Sequence, residues 1–319
     1  MRAHDVRARK IAQLAAFRVD RRREGLPTSG TVEAWLAEVA REVELAPAPP
    51  EEPHLEVARA RFLLVLALRM LGRTYRALRR PPAALDRDLV SRLTFALRGL
   101  PPPRAELAQS PIEPASALRR ALVVRARLRG VPGPVIFVGD DDATSIALGL
   151  VDPSRPLRVV DLDERLLDFL PRAARRLGLD LVATPADVLR APPRALRGRH
   201  AGAVMDPIRQ ADECLRFVGF GRACLRGEPS SRLFFADHPW WNTGYREVMA
   251  GLASRRLRCV EVLEGLHAYR APPPEFQSEL VDMSITLRLG LSRGGHAWFA
   301  RVARHVRLWS HLHVAIPRG

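Results

Sequence analysis

The chain has 319 residues, 47% of them hydrophobic, and a formal net charge of +16, enough length for one large or two ordinary globular domains. Of its 51 basic residues only Lys10 is a lysine, an arginine bias that GC-rich coding produces as readily as a polyanionic partner, so charge alone leaves nucleic acid a possible but not favoured partner. Cys214, Cys224 and Cys259 form no CxxC pair, the first residues lack a signal-peptide core, and the longest apolar run, FLLVLAL at 62 to 68, is too short for a membrane span, which argues against a disulfide scaffold, a zinc site and membrane insertion and points to a reducing cytoplasm.

In chain order, residues 1 to 104 read as a helical, basic N-terminal region. Trp35, Leu36, Val39 and Val43 recur at helical spacing, a second helix is expected over 58 to 80, and a third from Asp86 towards Gly99. PAPPEEP (47 to 53) and PPP (101 to 103) punctuate them, and the triple proline is the expected domain boundary, with a catalytic domain over 105 to 319.

From residue 134 short apolar runs alternate with helical periods, the pattern of an α/β domain with a mostly parallel, Rossmann-like sheet. Strands are expected at Val135 to Val138, Leu157 to Val160, Leu179 to Ala183, Ala203 to Met205, Leu233 to Ala236 and Cys259 to Val262. The helix over 164 to 177 contains Pro171, which should kink it or end its first half. The stretches Glu279 to Leu289 and Trp298 to Ile316 read as antiparallel strands.

Such a sheet binds its ligand beyond the carboxyl ends of its strands. There the sequence places Gly139-Asp140-Asp141-Asp142, then Asp161 and Asp163, then Asp187, then Asp206-Pro207, then Asp237. An acid ending the second strand can accept both ribose hydroxyls of a nucleoside, and Asp187 can accept an adenine amino hydrogen. The competing use is helix capping, which Asp142 ahead of the helix from Ala143 would serve. The triple aspartate also constrains ligand charge: the carboxylate of S-adenosylmethionine would be repelled, whereas an amine tail would be welcomed. That favours decarboxylated S-adenosylmethionine, a polyamine, or both.

Four segments, AQSPIEPASALRRALVV (108 to 124), VGDDDATSIAL (138 to 148), VVDLDERLLDFL (159 to 170) and AVMDPIRQADECLRFVGFGRACL (203 to 225), resemble the catalytic domain of the branched-chain polyamine synthases, N4-bis(aminopropyl)spermidine synthases with an S-adenosylmethionine methyltransferase-type fold. The resemblance covers roughly 105 to 275. It implies transfer of the aminopropyl group of decarboxylated S-adenosylmethionine to a secondary amine of spermidine, leaving methylthioadenosine, without a metal, in a homodimer. It implies catalytic roles for Asp206 and Asp140, donor contacts from Gly139, Asp140, Asp161, Asp163 and Asp187, and amine contacts from Asp141, Asp142, Pro207 and Asp237.

There are departures. The family's Asp-Pro-Pro is here Asp206-Pro207-Ile208-Arg209, ADHPWWNTGY replaces a more polar stretch, and the N-terminal hundred residues lack a clear winged-helix pattern. Trp240 and Trp241 fit either core packing or a cation–π wall. In HVRLWSHLHVAI, His305, Arg307, Trp309, His311 and His313 share one strand face and read as a polar outer surface rather than a metal site. Two rivals stay open: an S-adenosylmethionine-dependent N-methyltransferase acting on an amine or a nucleic-acid amino group, and a catalytically degenerate polyamine- or nucleoside-binding protein.

Overall fold

The computed structural model describes residues 85–207, 211–237, 244–269 and 309–318. All lie in one compact unit spanning 80–270 and 309–319. The expected helices before residue 80, Ile208, Arg209, His238, Trp240, Trp241, the strand at 279 to 289 and residues 298 to 308 fall outside the described residues.

Helix α1 (Arg87–Ala96) starts at Asp86, whose Oδ1 accepts the Asp88 N–H at 2.8 Å. Leu93 and Ala96 of α1 are buried, and the helix packs on α2 (Pro114–Arg127) and α3 (Thr144–Val151). The unit therefore begins ahead of the triple proline, because this apolar face needs α2 and α3 to leave water. Proline at the start of α2 fits the first-turn geometry, and Ala117, Leu118, Ala121 and Val124 make its buried face. Every residue of α3 is buried, as its apolar circumference requires.

Seven strands form one sheet in the order β3-β2-β1-β4-β5-β7-β6. β1 (Val135–Val138), β2 (Leu157–Asp161), β3 (Leu181–Pro185), β4 (Gly202–Met205) and β5 (Arg232–Asp237) pair in parallel. The runs VIFV and GAVM are buried throughout, as central parallel strands covered on both faces must be. β7 (Trp309–Pro317) lies antiparallel between β5 and β6 (Leu257–Ala268).

Several expectations shift. β3 starts at Leu181, not Leu179, because the chain first leaves α4 (Glu164–Arg176) through Gly178 at φ +69°. β6 is much longer than Cys259 to Val262, since register shifts let it follow β7 along its length. Helix α4 runs through Pro171 rather than ending there, with Leu166, Phe169, Leu170, Ala173 and Ala174 buried on one stripe. Burial of that stripe offsets the proline's missing hydrogen bond. α5 (Ala211–Cys224) and α6 (Tyr245–Ser254) complete the layers, and no helix among the described residues is long and apolar enough to cross a membrane.

The tail histidines do not form an outer surface. His311 and His313 are buried, His313 stacks on Phe235 at 4.7 Å between centroids, and its Nε2 meets the Tyr245 hydroxyl at 3.0 Å. Pairing with β5 and β6 occupies both edges of β7, and Phe235 and Tyr245 lie against the His313 ring, packing that residue alternation by itself does not reveal.

Candidate active site

β1 sits between β2 and β4, so the chain leaves the sheet's centre in opposite directions and a crevice opens beyond the ends of β1 and β4. Gly139 turns there at φ +73°, and Ala143 is left-handed at φ +53° with its side chain fully buried. A non-glycine residue in that region costs on the order of 1 kcal/mol, which the surrounding packing must overcome. The bend throws the three aspartates into different surroundings.

Asp142 accepts the Thr144 N–H at 2.9 Å on Oδ1, and its Oδ2 meets Arg120 Nη1 at 2.9 Å. Asp140 is 2% exposed, and both its oxygens face the Ser145 N–H at 3.3 Å. Capping of α3 is thus shared by two of the three acids. Asp141 Oδ2 is buried without a hydrogen-bond partner. Burial, then the Asp142 charge, pushes the carboxyls of Asp140 and Asp141 well above the usual range, and Asp141 also feels Asp206 and Asp161. Asp141 is therefore the member of the triplet that lies electrically between the ends of β2 and β4.

Asp161 accepts the Asp140 N–H at 3.2 Å and the Asp163 N–H at 2.9 Å, one on each oxygen, which orients its carboxylate at the end of β2. Burial still raises its pKa, with those N–H groups working against the shift. Asp163 has a different job from the expected donor contact. It caps α4 through the Arg165 N–H and is held by Arg165 Nη2 at 2.6 Å and Gln109 Nε2 at 3.0 Å, so its oxygens are already occupied. Arg165 first, with Gln109 adding, pulls its pKa down to about 2 against the opposing effect of burial. Asp187 likewise accepts the Leu189 N–H at 2.9 Å and pairs with the exposed Arg190 at 3.1 Å. Asp237 is buried at the end of β5, opposite His311 in the ladder, and Pro207 is buried behind Asp206.

The unforeseen centre of the site is Arg120. It is 2% exposed, and its guanidinium donates to Asp142 at 2.9 Å, to Asp206 Oδ2 at 3.1 Å and, through Nε, to His267 Nε2 at 3.0 Å. Burial opposes its charge, but Asp142 and then Asp206 outweigh that and raise its pKa. The helix carrying it is fixed by the Ala268 N–H donating to Ser116 Oγ at 2.9 Å and by the Glu113 N–H donating to the Ala268 carbonyl at 2.7 Å. Asp206 also accepts from the Tyr269 hydroxyl, at 3.0 Å on Oδ1 and 2.8 Å on Oδ2. One sequence signal could have revealed Arg120: it stands on the face marked by Ala117, Ala121 and Val124, where an arginine must find acidic partners.

The carboxylates of Asp140, Asp141, Asp142, Asp161 and Asp206 thus converge on a crevice whose buried cation is Arg120. A carboxyl whose folded pKa exceeds its unfolded value contributes stability below the unfolded pKa, and that contribution is lost as pH rises to the folded pKa. Asp140, Asp141 and Asp161 are all of this kind. Thermal stabilisation by spermidine should therefore grow as pH rises through the raised pKa of these carboxyls, with protons released on binding. Scanning fluorimetry and calorimetry in buffers of different ionisation enthalpy check this, and a stabilisation independent of pH would contradict it.

A parallel sheet with one antiparallel strand inserted beside its last edge, and a ligand crevice at the central strand ends, defines the Rossmann-like, methyltransferase-type class. Within that class, residues 88–238 match the branched-chain polyamine synthase A C-terminal domain, just under half of the chain. It is 29% identical over 148 residues to an N(4)-bis(aminopropyl)spermidine synthase of Methanocaldococcus jannaschii, covering 46% of this chain and 42% of that protein. It is also 29% identical over 141 residues to the synthase of that name from Thermococcus kodakarensis, covering 44% of this chain and 40% of the relative. The chain thus matches about two fifths of the length of these relatives. The solved structure of the Thermus thermophilus branched-chain polyamine synthase, in complex with N4-aminopropylspermidine and 5'-methylthioadenosine, superposes with a TM-score of 0.61 at 19% identity over 97% of this chain and 92% of that one, a likeness of fold.

Proposed function

We propose that the protein is an aminopropyltransferase that moves the aminopropyl group of decarboxylated S-adenosylmethionine to a secondary amine of a polyamine such as spermidine, giving a branched polyamine and methylthioadenosine. The observation that carries this reading is the excess, among the described residues, of carboxylates over the buried Arg120 guanidinium at the switch point of the sheet. Such a crevice favours a cationic donor tail and a polycationic acceptor, and disfavours a donor ending in a carboxylate. The synthases it resembles and the ligands bound by the Thermus enzyme agree with it.

The amine nitrogen's lone pair attacks the aminopropyl carbon bound to the sulfonium, the carbon–sulfur pair of electrons stays on sulfur, and one N–H proton must leave the new amine. Asp206, on the β4 side of the crevice, is the group assigned to accept that N–H, which aims the lone pair at the donor. Because a sulfonium is already a good leaving group, positioning supplies much of the rate. Asp161 would hold the ribose. Asp140, whose oxygens are turned to the Ser145 N–H, is assigned a role through its field on the donor's positive end rather than as a base. Asp141, Asp142, Pro207 and Asp237 remain assigned to the acceptor side, and Asp187 to the adenine, provided the exposed Arg190 swings away.

The same reading implies a homodimer in a reducing cytoplasm, in keeping with free Cys214, Cys224 and Cys259. Asp161→Ala should raise the KM for the donor about tenfold or more while changing kcat much less, as expected for loss of a binding contact. Donor titrations check it, and an unchanged KM would remove Asp161 from the ribose site. The function itself is tested by incubating the protein with decarboxylated S-adenosylmethionine and spermidine, in parallel with intact S-adenosylmethionine, and identifying products by mass spectrometry. Aminopropylated spermidine with methylthioadenosine is the expected result. Methylated amine in the intact-donor reaction would make the protein an N-methyltransferase, and ligand binding without either product a degenerate binding protein.

A further inference from the structure

Behind Asp206 lies a line of side chains that the proposed chemistry does not itself use. His267 and Ser310 face each other across the β6–β7 ladder, and their side chains meet at 2.9 Å through His267 Nδ1 and Ser310 Oγ. Ser310 Oγ lies 2.9 Å from the Tyr269 hydroxyl, which lies 2.8 Å from Asp206 Oδ2. With Asp206 ionised, as the proposed reaction needs it, donor counting orients the hydrogens along it. The Nε of Arg120 can only donate, so His267 Nε2 accepts and the ring's hydrogen sits on Nδ1. Burial, with Arg120 adding, lowers the pKa of His267 far below its usual value, which keeps the ring neutral. The Nδ1–H then donates to Ser310. Tyr269 has one hydrogen and gives it to Asp206, so the Ser310 hydrogen must be the one shared with Tyr269.

We propose that His267, Ser310 and Tyr269, oriented by Arg120, form a one-way hydrogen-bond relay that positions Asp206 and keeps its carboxylate ionised, with Tyr269 as the positioning residue that sets the pH at which this carboxylate works. This rests on the assignment of Asp206 in the proposed reaction and adds to it what governs that group. Each donor in the line is itself polarised by the donor behind it, so the hydroxyl reaching Asp206 is stronger than an isolated tyrosine hydroxyl. Among the described residues, charged and titratable groups around Asp206 include Arg120 on α2, Asp141 and Asp142 after β1, Cys214 on α5, and Tyr269 after β6. Asp141 works against ionisation, while Arg120 and Tyr269 favour it.

The test compares wild type, Tyr269→Phe and Ser310→Ala. Tyr269→Phe removes the last donor, and the acid limb of kcat/KM for aminopropyl transfer to spermidine should move up by about one pH unit. Ser310→Ala leaves Tyr269 in place without its incoming donor, and should move the limb the same way by a smaller amount. The midpoint of the Asp206 carboxyl signal, followed by carbon NMR on aspartate-labelled protein and assigned with Asp206→Asn, should move in parallel. A purely structural role would lower kcat or stability and leave both midpoints in place, which would overturn the relay. If wild type transfers no aminopropyl group the proposed reaction fails, yet the NMR midpoints still decide the relay. Should Tyr269→Phe not fold, Ser310→Ala carries the comparison alone.

Discussion

Asp206→Asn should lower kcat on the order of 10²–10⁴-fold, the usual worth of a positioned proton acceptor, while donor affinity stays within a few fold. The amide keeps the side chain's shape but cannot take a proton from the attacking nitrogen. Its NH₂ group would also face donors on one side, since Arg120 Nη2 at 3.1 Å and the Tyr269 hydroxyl at 2.8 Å both point at this position. The measurement is steady-state aminopropyl transfer together with calorimetric donor binding. Full turnover in the variant would take Asp206 out of the mechanism, and a parallel collapse of donor binding would make it a binding residue of the whole crevice.

Arg120→Met should be the most damaging change to the fold. Asp142 and Asp206, with side chains 3% and 15% exposed, would lose the cation between them. Breaking a buried pair by removing one partner costs about 3–5 kcal/mol. For a unit of this size that corresponds to a loss in Tm on the order of 10 °C. Thermal unfolding of both proteins at neutral pH decides it. A variant as stable as wild type would mean that the guanidinium is not the counter-ion these two acids depend on.

Both expectations turn on residues that the sequence treated unequally. Asp206 stands out because it follows a buried strand, and a carboxylate there has few structural uses. Arg120 is one arginine among many, and its importance appears only when α2 is laid against the ends of β1 and β4. Asp163 and Asp187 were legible as strand-end acids, but helix capping was the competing use, and the fold assigns their oxygens to the Arg165 and Leu189 N–H groups and to nearby arginines. His311 and His313 alternated like the outer face of a hairpin, yet β7 lies between β5 and β6 and both are buried.

The sequence by itself determined the class of fold and which acids stand at the strand ends. Apolar runs of four to six residues, helical periods between them and aspartates at the strand ends are local patterns, set by strand pleat, helix pitch and turn chemistry within a few residues. It also carried the family resemblance that the match over 88–238 bears out. Only the tertiary structure decided which carboxylates converge, which are consumed as caps, and what lies behind them. Arg120 and Asp206 are 86 positions apart, and Arg120 and His267 are 147 apart. Contacts of that range depend on which helix packs over which strand end, and no local pattern records it. The line of contacts from His267 to Asp206 likewise exists only in the folded chain, because it joins the β6–β7 ladder to the end of β4.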